Sequence, residues 1–240
     1  ILAPVLNAPI WLFLEIIYNI SMPKLNDIID LIQNISNEEK QLIEKAFIFA
    51  QKANQNQLRL NNDTYFVHVF ETGKILGQFG MDAQTIAAGL LHDVLEDSNI
   101  IEDEIKREFG EEILFLIKGV TKLGTLKYNG HERHVESLRK FFIAMANDLS
   151  VVIIKFADRL HNLKTLEFLR EDKRQRIAIE SIEVYAPLAN RLGMGKLKGD
   201  IEDAAFPFAY PKEYKQIEEI LKEKKESFEK NLNDVKEELN

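Results

Sequence analysis

Apolar residues recur at intervals of three and four along most of the chain after Met22, which is the spacing of helices that bury one face. A short amphipathic helix opens with Ile28 and Ile29. The longer predicted helices cover about residues 36–54, 66–79, 82–96, 101–108, 111–122, 134–148, 150–168, 171–192 and 210–240, with polar loops at 55–65 and 122–134. Because no strong strand alternation appears, the pattern predicts an all-α fold.

Two segments carry structural signals besides their apolar periodicity. Ser36 and Glu39 have the three-residue spacing of a capping box, so we predict that a helix starts there. The run "VVIIKFADRL" (151–160) is rich in β-branched residues, which would suit a strand. Leu160 and Leu163 nevertheless continue the helical spacing, so we predict a buried helix.

The N-terminal end of the chain differs from its centre. Residues 1–21 are an apolar extension whose role the sequence leaves open, whereas residues 22–195 form the predicted domain. The extension could lie upstream of the usual start, pack as an amphipathic helix on the domain or a partner, or anchor the chain to a membrane. Pro4 and Pro9 interrupt its first half, so we do not expect a membrane-spanning helix.

The C-terminal end is richer in Lys and Glu than the rest of the chain. Residues 196–240 are predicted to be a helical extension. Its last part is either a solvated helix with ion pairs between successive turns or the first helix of a further domain.

Composition and charge restrict the function. A chain of 240 residues with 45% hydrophobic residues can bury a sizeable core. Its net charge of −8 argues against a nucleic-acid partner, which normally meets a basic face. The lack of cysteine excludes disulfides and thiolate chemistry and is compatible with a reducing cytosol, so we expect a cytoplasmic protein. The oligomeric state stays open.

Four ionisable side chains interrupt the apolar run "AAGLLHDVLEDSN" (87–99), namely His92, Asp93, Glu96 and Asp97. An imidazole nitrogen beside a carboxylate oxygen suits manganese, iron or zinc, although the lack of sulfur argues against a structural zinc site. The competing interpretation is a solvated helix end. An acidic last turn opposes the helix dipole, so we favour a functional role for Glu96 and Asp97.

His68 and Asp158 are the candidates for further ligands. Asp158 interrupts an apolar run, where a cation or Arg159 should neutralise it. Taken singly, a hydrogen-bonded histidine and a local salt bridge explain both residues. Taken in order, His68, His92-Asp93 and Asp158 follow the pattern of the HD phosphohydrolase superfamily.

Longer motifs sharpen this resemblance. The stretches "TIAAGLLHDVLED", "GVTKLGTLK", "IKFADRLHNLKTL" and "YAPLANRLGMGKLKGDIED" resemble, in the same order, the hydrolase domain of the RelA/SpoT (Rel) family. The resemblance runs from about residue 55 to residue 214 and implies an HD-domain phosphohydrolase helical bundle. The family's synthetase motifs are missing from this chain, so synthesis by it is not expected.

The resemblance also implies a metal site. His68, His92, Asp93 and Asp158 match the family's metal ligands, which usually hold Mn²⁺. Two nitrogens and two carboxylates leave coordination positions for water and substrate.

The remaining site residues are implied in the same way. Glu96 and Asp97 match an acidic pair that orients or deprotonates the attacking water, and Asn162 matches a position near that water and the nucleotide. Substrate contacts are implied for a threonine and three basic residues: Thr165, Lys122, Arg159, and Arg59 as the residue that stacks on guanine.

The expected function is therefore that of a guanosine-3′,5′-bis(diphosphate) 3′-pyrophosphohydrolase. It would convert guanosine tetra- or pentaphosphate, ppGpp or pppGpp, to GDP or GTP and pyrophosphate. Two alternatives remain at this point: an HD phosphohydrolase for another nucleotide, such as a dNTP or NADPH, and a catalytically silent regulatory HD domain.

Overall fold

The computed structural model describes residues 23–54, 57, 59, 64–124, 131–222 and 224. Their backbone is helical and forms no β-strand within these ranges. The predicted extension over 1–21 and most of the segment beyond residue 222 lie outside the described residues. The elements are α1 (Asn26–Ile29), α2 (Asn37–Asn54), α3 (Tyr65–Gln78), α4 (Ala83–Leu91), α5 (Val94–Asp97), α6 (Glu102–Gly124), α7 (His131–Asn147), α8 (Leu149–Lys164), a 3₁₀ turn (Leu166–Phe168), α9 (Glu171–Glu180), a π-helical turn (Ser181–Tyr185), α10 (Ala186–Arg191) and α11 (Gly195–Ala209).

The chain divides into two compact units. The first comprises residues 1–57 and 63–118, and the second comprises residues 58–62 and 119–240. In the first unit, α4 packs against α2 and α3, and α1 covers α3. The interior is formed by fully buried aliphatic side chains, among them Ile43, Leu76, Ile86 and Leu90. This core fixes the backbone on either side of His68 and His92.

The predicted capping box at the start of α2 is confirmed. The Ser36 amide donates to Glu39 Oε2 at 2.8 Å, and the Glu39 amide donates to Ser36 Oγ at 3.2 Å. The two side chains thus satisfy two of the amides that the first turn of a helix leaves without partners.

In the second unit, α8 is the most deeply buried helix. It packs against α7 and α11, while α9 and α10 also pack on α11. Phe141 and Phe156 stack with ring centroids 5.9 Å apart, and Tyr185 meets Phe141 edge-on at 5.1 Å. The β-branched run within 151–160 is helical, as its apolar spacing predicts.

Several boundaries differ from the sequence prediction, and three of them bear on the two units directly. Helix α7 begins at His131, not near 134. The segment predicted as one helix over 171–192 contains the π-helical turn at 181–185. The segment predicted as one helix over 82–96 ends at Leu91 and restarts at Val94.

Within the described residues, no helix combines the length and the apolar character needed to cross a bilayer.

Gly119 marks a close approach of α6 to α8 within the second unit. A Cβ atom on Gly119 would lie 2.7 and 2.9 Å from the two γ-methyls of Val151. Valine has one strongly preferred rotamer in a helix and cannot swing aside. We therefore expect Gly119→Ala to lower the free energy of unfolding by about 1–2 kcal/mol, since overpacking outweighs the gain in helix propensity.

Gly199→Ala is the matched control for this prediction. Gly199 also lies inside a helix, but a Cβ atom there meets nothing within 4 Å. Urea denaturation should show an unchanged or higher stability for this variant. An equal loss in both variants would contradict the packing argument.

Candidate active site

The His92-Asp93 pair occupies a turn between two helices. Helix α4 starts at an Asp82 cap, whose Oδ1 accepts from the Thr85 amide at 2.7 Å, and it ends one residue before His92. Asp93 has φ −97° and ψ −4°, a sparsely populated region that active-site residues often adopt. The turn sets both side chains at the end of the buried helix.

This turn divides the helix that the sequence predicts over residues 82–96, so Glu96 and Asp97 lie beyond the turn that holds His92 and Asp93. Glu96 and Asp97 lie in the separate four-residue helix α5, whose Asp97 amide donates to Asp93 O at 2.9 Å. The argument from an acidic last turn of a long helix is therefore wrong. Their position one turn after Asp93 follows instead from the restart of the helix at Val94.

His68, His92 and Asp93 form one cluster in the first unit. Asp93 Oδ1 lies 3.1 Å from His92 Nε2, and Asp93 Oδ2 lies 3.5 Å from His68 Nε2. The two imidazole rings meet with centroids 5.3 Å apart. Both histidines are almost fully buried, at 2% and 1% exposure, whereas the Asp93 side chain is 22% exposed, so the cluster opens to water on the side of the carboxylate.

The hydrogen bonds of His92 define which nitrogen can act as a ligand. Its Nδ1 lies 2.8 Å from Gly89 O, and since a carbonyl oxygen only accepts, Nδ1 carries the proton. Nε2, facing the Asp93 carboxylate, then carries either a second proton or a lone pair directed at a cation. A backbone bond to the far nitrogen is the usual second contact of a metal-ligating histidine.

The charge state of Asp93 also suits a cation. Burial alone would raise the pKa of its carboxyl, but the neighbouring His92 and His68 outweigh that effect and hold the pKa well below its usual range. Asp93 is therefore an ionised carboxylate beside two imidazoles, which is a donor set for a divalent metal.

Asp97 differs from Asp93 in its electrostatic surroundings. Partial burial of its carboxyl, followed by the negative charge of Asp93, raises the pKa of Asp97, although Tyr65 donates a hydrogen bond that acts in the opposite direction. Gln57 Nε2 also donates to the Asp97 carbonyl oxygen. Asp97 and the adjacent Glu96 are both exposed residues, so the burial of the Asp97 carboxyl is only partial. Because its pKa is raised, the Asp97 carboxylate accepts a proton more readily than the Asp93 carboxylate, whose pKa is lowered.

Asp158 and Asn162 anchor a second group of polar side chains, in the second unit. Lys155 Nζ lies 2.6 Å from Asp158 Oδ2, and Asn162 Nδ2 donates to Asp158 Oδ1. Asn162 Oδ1 in turn accepts from Arg59 Nη2 at 2.7 Å, and Arg59 Nη1 lies 3.5 Å from His161 Nδ1. The network runs in the order Lys155, Asp158, Asn162 and Arg59.

The sequence named a cation or Arg159 as the partner of Asp158, and the structure adds Lys155, which forms an ion pair with it. Residues 155, 158 and 162 lie three and four apart and share one helix face, whereas residue 159 is turned about 100° away. Arg159 donates to Tyr185 Oη at 2.7 Å, lies 3.5 Å from Glu180 Oε2 and stacks over the Tyr185 ring at 4.1 Å.

Thr165 and Lys122 complete the predicted set. Thr165 follows α8 and donates through Oγ1 to Asn162 O at 3.2 Å, which places it next to the Asn162 network. The Lys122 side chain is exposed near the end of α6, and its carbonyl oxygen accepts from Lys140 Nζ at 3.4 Å. These contacts bring Thr165 to the second-unit group, whereas the contact of Lys122 described above is with Lys140.

Sequence reasoning missed several residues that contact the predicted ones, among them Tyr65, Lys155 and Glu180. Tyr65 bonds Asp97, Lys155 pairs with Asp158, and Glu180 faces Arg159. A signal existed for Lys155, because it is a second charge in the same apolar run and lies three residues before Asp158. No local signal links residue 180 with residue 159.

The HD domain family matches residues 46–195. That match covers more than half of the chain and contains the whole His, His-Asp, Asp order. The chain belongs to the HD domain family.

Curated relatives of this HD domain confirm the predicted Rel resemblance. It is 42% identical over 190 residues to a guanosine-3′,5′-bis(diphosphate) 3′-pyrophosphohydrolase of Aquifex aeolicus, covering 79% of this chain and 27% of the relative. It is 37% identical over 211 residues to the bifunctional (p)ppGpp synthase/hydrolase SpoT of Escherichia coli, covering 85% and 30%. A GTP pyrophosphokinase of Myxococcus xanthus is 40% identical over 198 residues, covering 81% and 26%. The chain thus matches less than a third of the length of each.

A solved structure confirms the predicted all-α HD fold. It belongs to a metazoan ortholog of SpoT and superimposes with a TM-score of 0.54 at 19% identity, covering 73% of this chain and 96% of that one.

Proposed function

We propose that this HD domain hydrolyses the 3′-diphosphate of ppGpp or pppGpp. Water adds to the phosphorus next to the ribose, the bond from that phosphorus to the 3′-oxygen breaks, and GDP or GTP leaves with a free 3′-hydroxyl together with pyrophosphate. The observation that carries the proposal is the buried cluster of His68, His92 and Asp93, which suits a divalent cation. Relatives about 40% identical to the chain are named for this reaction.

The cation that we propose is Mn²⁺, held by His68, His92 and Asp93. Asp158 is proposed as the fourth ligand because it matches the last position of the HD order. A cation held there acts as a Lewis acid and neutralises phosphate charge, which a protein of net charge −8 needs.

The acidic pair is proposed to manage the proton of the attacking water. Asp97 is the favoured acceptor because burial and the charge of Asp93 raise its pKa, so its carboxylate holds a proton more readily. The exposed Glu96 would orient the same water or pass the proton to solvent. Tyr65 fixes Asp97 through its hydrogen bond.

The second-unit group is proposed to bind the nucleotide. Arg59, which lies against Asn162, would stack on guanine. Asn162 would lie near the nucleotide and the attacking water, and Thr165 beside it would contact the sugar or a phosphate. Lys122 and Arg159 are proposed phosphate contacts from the Rel resemblance, and the buried position of Arg159 argues for an indirect role. We also propose that the protein is located in the cytoplasm, where it would meet this substrate.

One assay tests the function directly. Purified protein is expected to release pyrophosphate from ppGpp with Mn²⁺ and to lose that activity after chelation, with far slower turnover of dGTP and NADPH. Faster turnover of either comparator would replace the substrate assignment. No turnover of any nucleotide, with normal metal binding, would indicate a silent regulatory domain.

A further inference from the structure

Lys155 forms an ion pair with Asp158, the proposed fourth metal ligand. Its Nζ lies 2.6 Å from Asp158 Oδ2. The two residues are three positions apart and therefore lie on the same face of the helix. The side chains are 15% and 6% exposed. The two opposite charges are therefore buried together in an apolar run, where each lowers the cost of burying the other.

The opposite oxygen of Asp158 is held as well. Asn162 Nδ2 donates to Oδ1, and Arg59 holds the Oδ1 of the same amide at 2.7 Å. Lys155, three residues before Asp158, thus contacts one carboxylate oxygen, and Asn162, four residues after it, contacts the other. These two contacts hold the carboxylate in one orientation.

We propose that Lys155 is a positioning residue that serves as the counter-ion of Asp158 before a cation binds, and that a divalent cation displaces its ammonium from that carboxylate. The inference rests on the proposed function, because it takes Asp158 as a metal ligand. The long lysine stem allows the ammonium to move toward water once the cation has taken its place.

This role has an unusual electrostatic consequence. A residue that merely supports the fold would, when removed, weaken both the protein and its metal site. A displaced counter-ion opposes the incoming cation, so its removal should destabilise the metal-free protein and yet strengthen cation binding.

The test compares Lys155→Met with Lys155→Arg and Lys164→Met. Lys164→Met removes the same charge from an exposed position at the end of the same helix. Without metal, Lys155→Met is expected to lower the melting temperature by roughly 5–10 °C, whereas both other variants stay within about 2 °C of the wild type. By calorimetry, Lys155→Met should bind Mn²⁺ roughly tenfold more tightly than the wild type.

A double variant covers the case in which Lys155→Met does not fold. Asp158→Asn removes the charge that Lys155 balances, so adding Lys155→Met to it should cost almost nothing, within about 2 °C. Failure of this double variant to fold, or a full additional loss, would overturn the proposal.

The readouts separate the two levels of inference. Weaker or unchanged Mn²⁺ binding by Lys155→Met, with wild-type binding intact, overturns the counter-ion role alone. Absence of Mn²⁺ binding by the wild type overturns the proposed metal site and the counter-ion role with it.

Discussion

Asp93→Asn is expected to reduce ppGpp hydrolysis by roughly a thousandfold or more while the helical fold is retained. The substitution preserves the shape of the side chain but removes the negative charge that lies 3.1 Å from His92 and 3.5 Å from His68. A neutral amide is a poor ligand for a divalent cation. The loss should appear in kcat, and the stabilisation of the protein by added Mn²⁺ should shrink in parallel.

Asp103→Asn is the matched control for Asp93→Asn. It makes the same chemical change and the same change in net charge at an exposed position in the first turn of α6. It should keep wild-type turnover. Circular dichroism of both variants separates a lost site from a lost fold, and turnover by a folded Asp93→Asn near the wild-type rate would refute the ligand assignment.

The helices of this fold could be predicted because their apolar residues recur at one spacing. The start of α2 was also predictable, since Ser36 and Glu39 cap each other without help from distant residues. The turn at His92 and Asp93 was not. Neither residue is a glycine or proline, and the apolar pattern continues on both sides. Only the packing of the helix that ends at Leu91 shows that the chain turns there.

The site was predictable to the level of residue types and order, but not of partners. The order His68, His92-Asp93, Asp158 could be found in the sequence because the HD pattern is linear. The sequence offered a cation or Arg159 as the partner of Asp158 and missed Lys155, although helix geometry favours residues three or four away. The contact of Arg159 with Glu180 joins separate helices, and no local pattern encodes it.

The Arg159 contacts lead to a prediction that differs from the one its sequence motif suggests. We expect Arg159→Met to lower the free energy of unfolding by about 3–5 kcal/mol, because it removes the guanidinium that faces a buried carboxylate. Glu180 is 1% exposed and lies 3.5 Å from Arg159, whose own side chain is 12% exposed. Burial alone would lower the pKa of Arg159, but Tyr185 and Glu180 raise it further than burial lowers it, so the guanidinium stays charged.

Two further variants decide what Arg159→Met measures. Arg170→Met breaks an ion pair with Asp172 whose side chains are 86% and 69% exposed, and it should change stability by less than about 1 kcal/mol. Adding Glu180→Gln to Arg159→Met removes the second buried charge and should recover a large part of the loss, as urea denaturation of the single and double variants will show. A phosphate-binding role predicts the reverse result for Arg159→Met, with unchanged stability, a raised KM for ppGpp and no recovery in the double variant. That result would show that Arg159 contacts the substrate and would contradict its role as the partner of the buried Glu180 carboxylate.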